Sequence, residues 1–165
     1  IYVGYRYFDT FHKNVSYPFG YGLSYTQFSY SQPEIKFENG SYVLTLQVKN
    51  VGKASGKEVV QLYVSAPSNA SLAKPEKELK DFTKTGELKP GESQTVTLKV
   101  AVSDLASYDE AHHSWLVDEG EYQFKIGASS RDIRASVSAE VKGLKQETSN
   151  ILLLKTPLDR LTYIK

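Results

Sequence analysis

Tyr42, Leu44, Leu46 and Val48 put an apolar side chain at every second position, with Val43, Thr45, Gln47 and Lys49 between them. A period of two sends alternate side chains to opposite faces of an extended backbone, so this stretch reads as a half-buried β-strand. The pattern returns at Val60, Leu62 and Val64 in residues 58–65, and at Val96, Leu98, Val100 and Val102 in residues 93–102. It returns again at Tyr122, Phe124, Ile126 and Ala128 in residues 121–129, and at Ile133, Ala135, Val137, Ala139 and Val141. Turn chemistry separates these runs. Asn39-Gly40 suits a tight hairpin, and the segments 51–56 and 89–92 are rich in breakers. The one helical signal is a single turn near residues 103–106, which Ser103 or Asp104 can cap. The spacing predicts an all-β chain: an antiparallel sandwich of about seven short strands.

The segment before the strands is of another kind. Residues 1–30 hold eleven of the twenty aromatic residues, among them Tyr2, Tyr5, Tyr7, Phe8, Phe11, Tyr17, Phe19 and Tyr21. Pro18, Gly20 and Gly22 interrupt the run, so it cannot form one regular element and reads as an irregular, aromatic-rich N-terminal arm. Rings bury large areas and tyrosine hydroxyls seek partners. Such an arm therefore either plugs the end of its own sandwich or forms a docking surface.

Bulk properties narrow the function classes. A chain of 165 residues, 40% hydrophobic, suits one domain large enough to bury a real core. Twenty basic against nineteen acidic residues leave a formal charge of +1 with no long run of one sign, which gives no footprint for nucleic acid or an anionic membrane. No apolar run approaches membrane-spanning length. The absence of cysteine excludes a disulfide framework and thiolate chemistry. The chain starts at Ile1 and has no methionine, so it is expected to be a processed product or a fragment of a longer protein.

Catalytic candidates are few. Asp109, Glu110, His112, His113, Asp118 and Glu119 form the one dense run of titratable side chains. Neighbours on a strand point to opposite faces, which argues against a paired acid and base, and adjacent histidines lack the spacing of a structural metal site. The expected reading is an exposed turn before Trp115, with Trp115 itself either a sugar platform or, more in keeping with a lone tryptophan of a sandwich, part of the core or a plug at its end. No catalytic residue, cofactor or metal ligand is assigned. The long connection over 66–78 is expected to be a solvated loop.

Motifs in a fixed order carry a family resemblance. Tyr2-Val3-Gly4-Tyr5-Arg6-Tyr7-Phe8-Asp9 and Tyr17-Pro18-Phe19-Gly20-Tyr21-Gly22-Leu23-Ser24-Tyr25-Thr26-Gln27-Phe28 open the chain. Glu58-Val59-Val60-Gln61-Leu62-Tyr63-Val64, Lys74-Pro75-Glu76-Lys77-Glu78-Leu79-Lys80-Asp81-Phe82, Leu88-Lys89-Pro90-Gly91-Glu92-Ser93, Asp104-Leu105-Ala106-Ser107-Tyr108-Asp109, Gly120-Glu121-Tyr122 and Gly127-Ala128-Ser129-Ser130 follow. Over about residues 1–140 this resembles the C-terminal fibronectin type III-like domain of family 3 glycoside hydrolases, the β-glucosidases and their relatives. The resemblance implies an immunoglobulin/fibronectin type III-like sandwich and a parent enzyme that removes terminal β-linked sugars by a retaining mechanism. It also implies that the nucleophilic aspartate and the acid/base glutamate lie outside these residues. Export to the periplasm or the exterior is an expectation from the same source.

On this reading residues 1–25 are a docking arm or interdomain linker, 26–142 the sandwich, and 143–165 a tail. In the arm, Tyr5, Arg6, Tyr7, Phe8, Asp9, Phe19 and Tyr21 are the expected docking residues toward catalytic domains of the same parent chain. Arg6 and Asp9 are expected to pair with each other or with groups on that partner. In the tail, Ile151 to Leu154 and a short helix opened by Thr156-Pro157 are expected to dock on the sandwich or on the missing domains. Two other readings stand beside this one: an autonomous carbohydrate-binding module, and an immunoglobulin-like adhesion or scaffold domain.

Overall fold

The computed structural model describes residues 1–149; the apolar run from Ile151 and the helix expected at Pro157 lie outside the described residues. The described chain folds into two packed antiparallel sheets with a small third sheet beside them. In the first, β3 (Ser41–Asn50) is central. It pairs along one edge with β6 (Ser93–Ala101), and along the other with β1 (Phe28–Tyr30) and β2 (Glu34–Glu38). The second runs β10 (Asp132–Val141), β9 (Gly120–Ser129), β4 (Val59–Ser65), β5 (Glu78–Lys84). The third runs β11 (Leu144–Glu147), β8 (Ser114–Val117), β7 (Ser107–Asp109).

The alternation seen in the sequence builds the core. Tyr42, Leu44, Leu46 and Val48 of β3, with Val96, Leu98 and Val100 of β6, meet Val60, Leu62 and Val64 of β4 and Tyr122, Phe124 and Ile126 of β9 in one buried cluster. Each such side chain taken from water stabilises the fold by roughly 1.5–3 kcal/mol. Asn39 and Gly40 both take positive φ between β2 and β3, the twist that a two-residue hairpin turn demands. The helical turn near Ser103 is a 3-10 turn over Val102–Leu105, and Asp104 reaches back to accept from the Ala101 N–H at 3.3 Å.

Where β1 meets the loops, Asn50 is fully buried with its amide completely partnered. Nδ2 donates to the Ala54 and Leu88 carbonyls, both at 2.8 Å, while Oδ1 accepts from Thr26 Oγ at 2.6 Å and the Gly52 N–H at 3.0 Å. One side chain thereby ties the start of the sandwich to two of its breaker loops.

Four features depart from the expectations. The aromatic arm contains a helix, α1 (Tyr5–Thr10), opened by Gly4 at φ 60, whose carbonyl accepts from the Tyr7 and Phe8 N–H groups. The chain continues past the expected end at residue 142 in β11, which pairs with β8. The small sheet of β7, β8 and β11 was not legible because its strands have three or four residues each, too few to show a period.

The largest departure concerns β4. Alternation left Gln61 and Tyr63 on a solvent face, yet both are buried. The arm lies over that outer face as a third layer, so β4 is covered on both sides.

Candidate interdomain docking surface

The arm is held to the sandwich at four places. The Tyr5 ring stacks on Phe19 at 4.4 Å and meets Tyr63 edge-on at 6.0 Å, and its hydroxyl accepts from the Leu79 N–H of β5 at 2.7 Å. Burial pushes the Tyr5 phenol above its ordinary pKa. Arg6 Nη1 lies 3.1 Å from Glu78 Oε1, also on β5. Asp9 is the buried residue of α1, and its Oδ1 accepts from Arg131 Nε at 2.7 Å. Its Oδ2 lies 3.6 Å from Nζ of Lys77, a buried lysine that also meets Glu76 at 3.0 Å. Farther along, the Phe19 carbonyl accepts from Ser130 N–H at 2.8 Å and the Gly20 carbonyl from Gln61 Nε2 at 3.1 Å.

Arg131 joins two roles. Its Nη2 donates to the Lys13 carbonyl at 2.7 Å and the Phe8 carbonyl at 3.3 Å, beside the end of α1. A cation favours the carbonyl-rich end of a helix, so this guanidinium both neutralises Asp9 and closes the helix. Gln61 does the matching work for the 18–21 turn. Its Nε2 also donates to the Ala128 carbonyl at 2.7 Å, and its Oε1 accepts from Tyr63 OH at 2.6 Å. Gly20 sits so close that a Cβ there would fall 2.0 Å from Gln61 Oε1, at a φ of +79.

Arg6 and Asp9 therefore do not pair with each other; each meets an oppositely charged side chain of the sandwich, because α1 lies between β5 and the β9–β10 turn. Tyr5 belongs to the same set of anchors. Tyr7, Phe8, Phe19 and Tyr21 keep much of their surface in solvent. They continue into Tyr17 at 72%, Leu23 at 90% and Tyr25 at 99% exposure. These outward rings are not random neighbours: Tyr7 lies 5.0 Å from Phe11, Phe11 lies 5.2 Å from Tyr2, and Tyr17 lies 5.3 Å from Tyr21. Between the arm and the β4–β5 side runs an open groove of about 1010 Å³, lined in part by Tyr21, Leu23, Val59, Leu79 and Phe82. Contiguous apolar surface of this kind, on a segment ordered by buried ion pairs, is the character of an interaction face.

The arm's anchors on the sandwich, Gln61, Lys77 and Arg131, were not foreseen. The available signal was Gln61 and Tyr63 inside the otherwise apolar β4, since a strand with such residues on its outer face asks for a cover.

The carboxylates near the groove are committed elsewhere. Arg134 meets Glu58 at 3.0 Å and Asp132 at 2.8 Å, its guanidinium lies 5.0 Å over the Tyr30 ring, and Tyr30 OH donates to Glu58 at 3.0 Å. Burial raises the Glu58 carboxyl above its ordinary pKa. The run from Asp109 to His113 forms the turn between β7 and β8. Asp109 Oδ2 takes His112 Nδ1 at 2.6 Å, and Oδ1 accepts from the Ala111 and His112 N–H groups. The His112 hydrogen bond holds the Asp109 carboxyl below the usual carboxylate range. Asp118 accepts from the N–H and Oγ of Ser71. Among the described residues no three His, Cys, Asp or Glu side chains are placed to hold a metal ion. Trp115 is not in the core: it is 46% exposed, because β8 belongs to the side sheet and not to either main one.

The 66–77 connection is a strap more than a free loop. Ser65 Oγ donates to the Glu76 carbonyl at 2.6 Å, and the Glu76 N–H donates to Thr10 Oγ at 2.9 Å.

A family model described as the fibronectin type III-like domain matches residues 58–130. A β-glucosidase of Ruminococcus albus is 43% identical over 169 residues, spanning 98% of this chain and 18% of that protein. An exo-α-(1→6)-L-arabinopyranosidase of Bifidobacterium breve is 42% identical over 145 residues, 87% of this chain and 19% of its own length. The structure of β-glucosidase 3B from Thermotoga neapolitana in complex with α-D-glucose superposes with a TM-score of 0.84 at 44% identity, over 90% of this chain and 20% of that one. The chain thus spans about a fifth of the length of the relatives it matches.

Proposed function

The chain belongs to the fibronectin type III-like domains of family 3 β-glucosidases, and from that premise we propose that it is an accessory domain whose aromatic arm docks on catalytic domains of the same parent chain. The parent removes terminal β-linked sugars from oligo- or polysaccharides by a retaining mechanism, with both reacting carboxylates outside these residues. The observation that carries the reading is the division of labour in the arm. Tyr5, Arg6 and Asp9 are spent on the sandwich, while Tyr7, Phe8, Phe19 and Tyr21 remain outward on a backbone already fixed. Fixing the arm before contact removes an ordering cost from association, which favours docking at modest area.

The relatives support a structural role over a substrate-selecting one. Sequences about equally similar to this chain sit in a β-glucosidase and in an α-L-arabinopyranosidase, so sugar choice belongs to pockets elsewhere in those proteins. Export of the whole enzyme to the periplasm or the exterior is part of the proposal and rests on its polysaccharide-degrading role. Cell fractionation of the native host tests it.

The docking proposal is tested by expressing the catalytic remainder of the parent separately and titrating this chain into it calorimetrically. Hydrolysis of an aryl β-glucoside is followed with and without the chain. Saturable binding that Tyr7→Ala with Phe8→Ala weakens at least tenfold, no hydrolysis by this chain alone, and a gain in thermal stability of the remainder are the expected results. Absence of binding, or binding indifferent to those changes, would overturn the docking role.

A further inference from the structure

Beyond the docking arm, we propose that the solvent face of the small side sheet is a binding platform for neutral oligosaccharide, built on Tyr108, Trp115 and Gln146. The three residues stand directly opposite one another across β7, β8 and β11, Tyr108 against Trp115 and Trp115 against Gln146. Residues in register share one face, so two rings and an amide line up in a row across the strands. Both rings hold large open surfaces, 40% for Tyr108 and 46% for Trp115, with centroids 5.4 Å apart and planes inclined by 62°.

The chemistry of that row selects its ligand. A pyranose presents an apolar C–H face and an equatorial belt of hydroxyls. An exposed indole and phenol supply flat apolar surfaces for the first, as in other sites where tyrosine and tryptophan pair an apolar body with a polar tip. Gln146, exposed in β11, brings both donors and acceptors for the second, and His113, with Nδ1 3.5 Å from Tyr108 OH, adds an imidazole at the far edge. The inclined planes suit successive sugar rings turned relative to each other, not a single flat ring. The row itself carries no charged side chain, and two charged pairs beside it are mutually engaged, Asp109 with His112 and Lys145 with Glu147 at 3.6 Å. A row with no free charge favours a neutral ligand over an anionic one.

The backbone under the row is held in place. Thr148, just past β11, donates from both its N–H and its Oγ to the His113 carbonyl, each at 2.8 Å, closing the third strand against the turn. In β8 the buried Ser114, on the face opposite Trp115, and the buried Val117, two residues along from it, fix the strand at both ends. The rings are therefore positioned before a ligand arrives.

Trp115 is the sole tryptophan, so its fluorescence reports on this site alone. The chain, as it stands, is titrated with cellotetraose and separately with maltotetraose while indole emission and the single indole N–H resonance are followed. A saturable shift of both at millimolar concentration is expected, with the curved maltotetraose binding at least as tightly as the flat cellotetraose. Calorimetry with Trp115→Ala should show binding weakened at least about tenfold, with partial recovery in Trp115→Tyr; the same row predicts a smaller loss for Gln146→Ala. Backbone resonances of β4 and β9 that do not move in these variants show that the sandwich is intact. No response of the indole up to the solubility limit of either tetrasaccharide would overturn the platform, as would affinity unchanged in Trp115→Ala. Because the Tyr7 and Phe8 variants leave this row untouched, failure here and failure of the docking arm are separate results.

Discussion

Asp9 and Arg131, 122 residues apart in sequence, meet at 2.7 Å between the arm's helix and the turn joining β9 to β10. The carboxylate is buried and the guanidinium about one third exposed, so the contact is a partly desolvated ion pair that locks a chain terminus to the middle of a sheet. Lys77 approaches the same carboxylate from the strap before β5.

Asp9→Ala removes the anion from between two cations and leaves Lys77 buried with Glu76 alone. It is expected to cost about 3 kcal/mol, and Arg131→Ala about 2 kcal/mol, because that change leaves the buried Asp9 carboxylate with Lys77 alone and frees the Phe8 and Lys13 carbonyls. Urea unfolding measures both. Amide exchange separates the arm from the core: residues 5–10 should lose protection in either variant while β3 and β9 keep theirs.

Gly20→Ala places a methyl 2.0 Å from Gln61 Oε1 at a backbone angle that L-residues avoid. Gln61 must give up its bond to the Gly20 carbonyl, and the expected loss is about 2 kcal/mol with release of Phe19 from Tyr5. A thermal melt reads the first, and the ring-current shifts of Tyr5 and Phe19 read the second. Gly22→Ala, with open space around it, is the matched control and should be close to neutral.

Asn50→Ala removes hydrogen bonds to three segments at once; the Leu88 carbonyl keeps the Gly56 N–H, and each buried polar group left unpaired costs about 1–3 kcal/mol. The expected destabilisation is about 3 kcal/mol, less than the sum because the loops can relax. Asn50→Asp should be no better, since a carboxylate turns an acceptor toward the Ala54 and Leu88 carbonyls where an amide donates. Chemical denaturation of the two variants decides this.

Alkaline pH should unfold the domain through its tyrosines. Burial pushes Tyr122 up to about 12 and raises Tyr63 and Tyr30 further, while tyrosines of an unfolded chain ionise near pH 10. These folded-state values lie above the unfolded one, so the stability they contribute is fully present below about pH 10 and is lost as pH rises toward 12. Absorbance near 295 nm should show a late rise from Tyr30, Tyr63 and Tyr122 in step with loss of the β-sheet circular dichroism signal. Loss of the circular dichroism signal with no accompanying rise in phenolate absorbance would contradict this.

Tyr17→Ala and Tyr25→Ala should leave the stability of this domain within about 0.5 kcal/mol of the original, since their rings are largely in water. Equal melts with weakened association to the catalytic remainder are the combination the docking arm requires.

Local alternation along the chain is enough to specify the sandwich and its core. A period of two is a local property, and once Leu44, Leu62, Leu98 and Phe124 each carry an apolar face, the only way to bury four such faces is to press two sheets together. The turns were equally local, as Asn39-Gly40 shows. What the tertiary structure alone decided is everything that depends on which distant residues meet: that Asp9 finds Arg131 and Lys77 and not Arg6, that Gln61 faces an arm and not solvent, and that Trp115 stands in a side sheet outside the core. Such pairings join positions separated by tens of residues through the packing of whole layers, and no neighbour along the chain records them. The outward rings of the arm lie between these cases. Their number was plain in the sequence, but which of them the sandwich would take and which it would leave exposed followed only from how α1 lies against β5 and the β9–β10 turn.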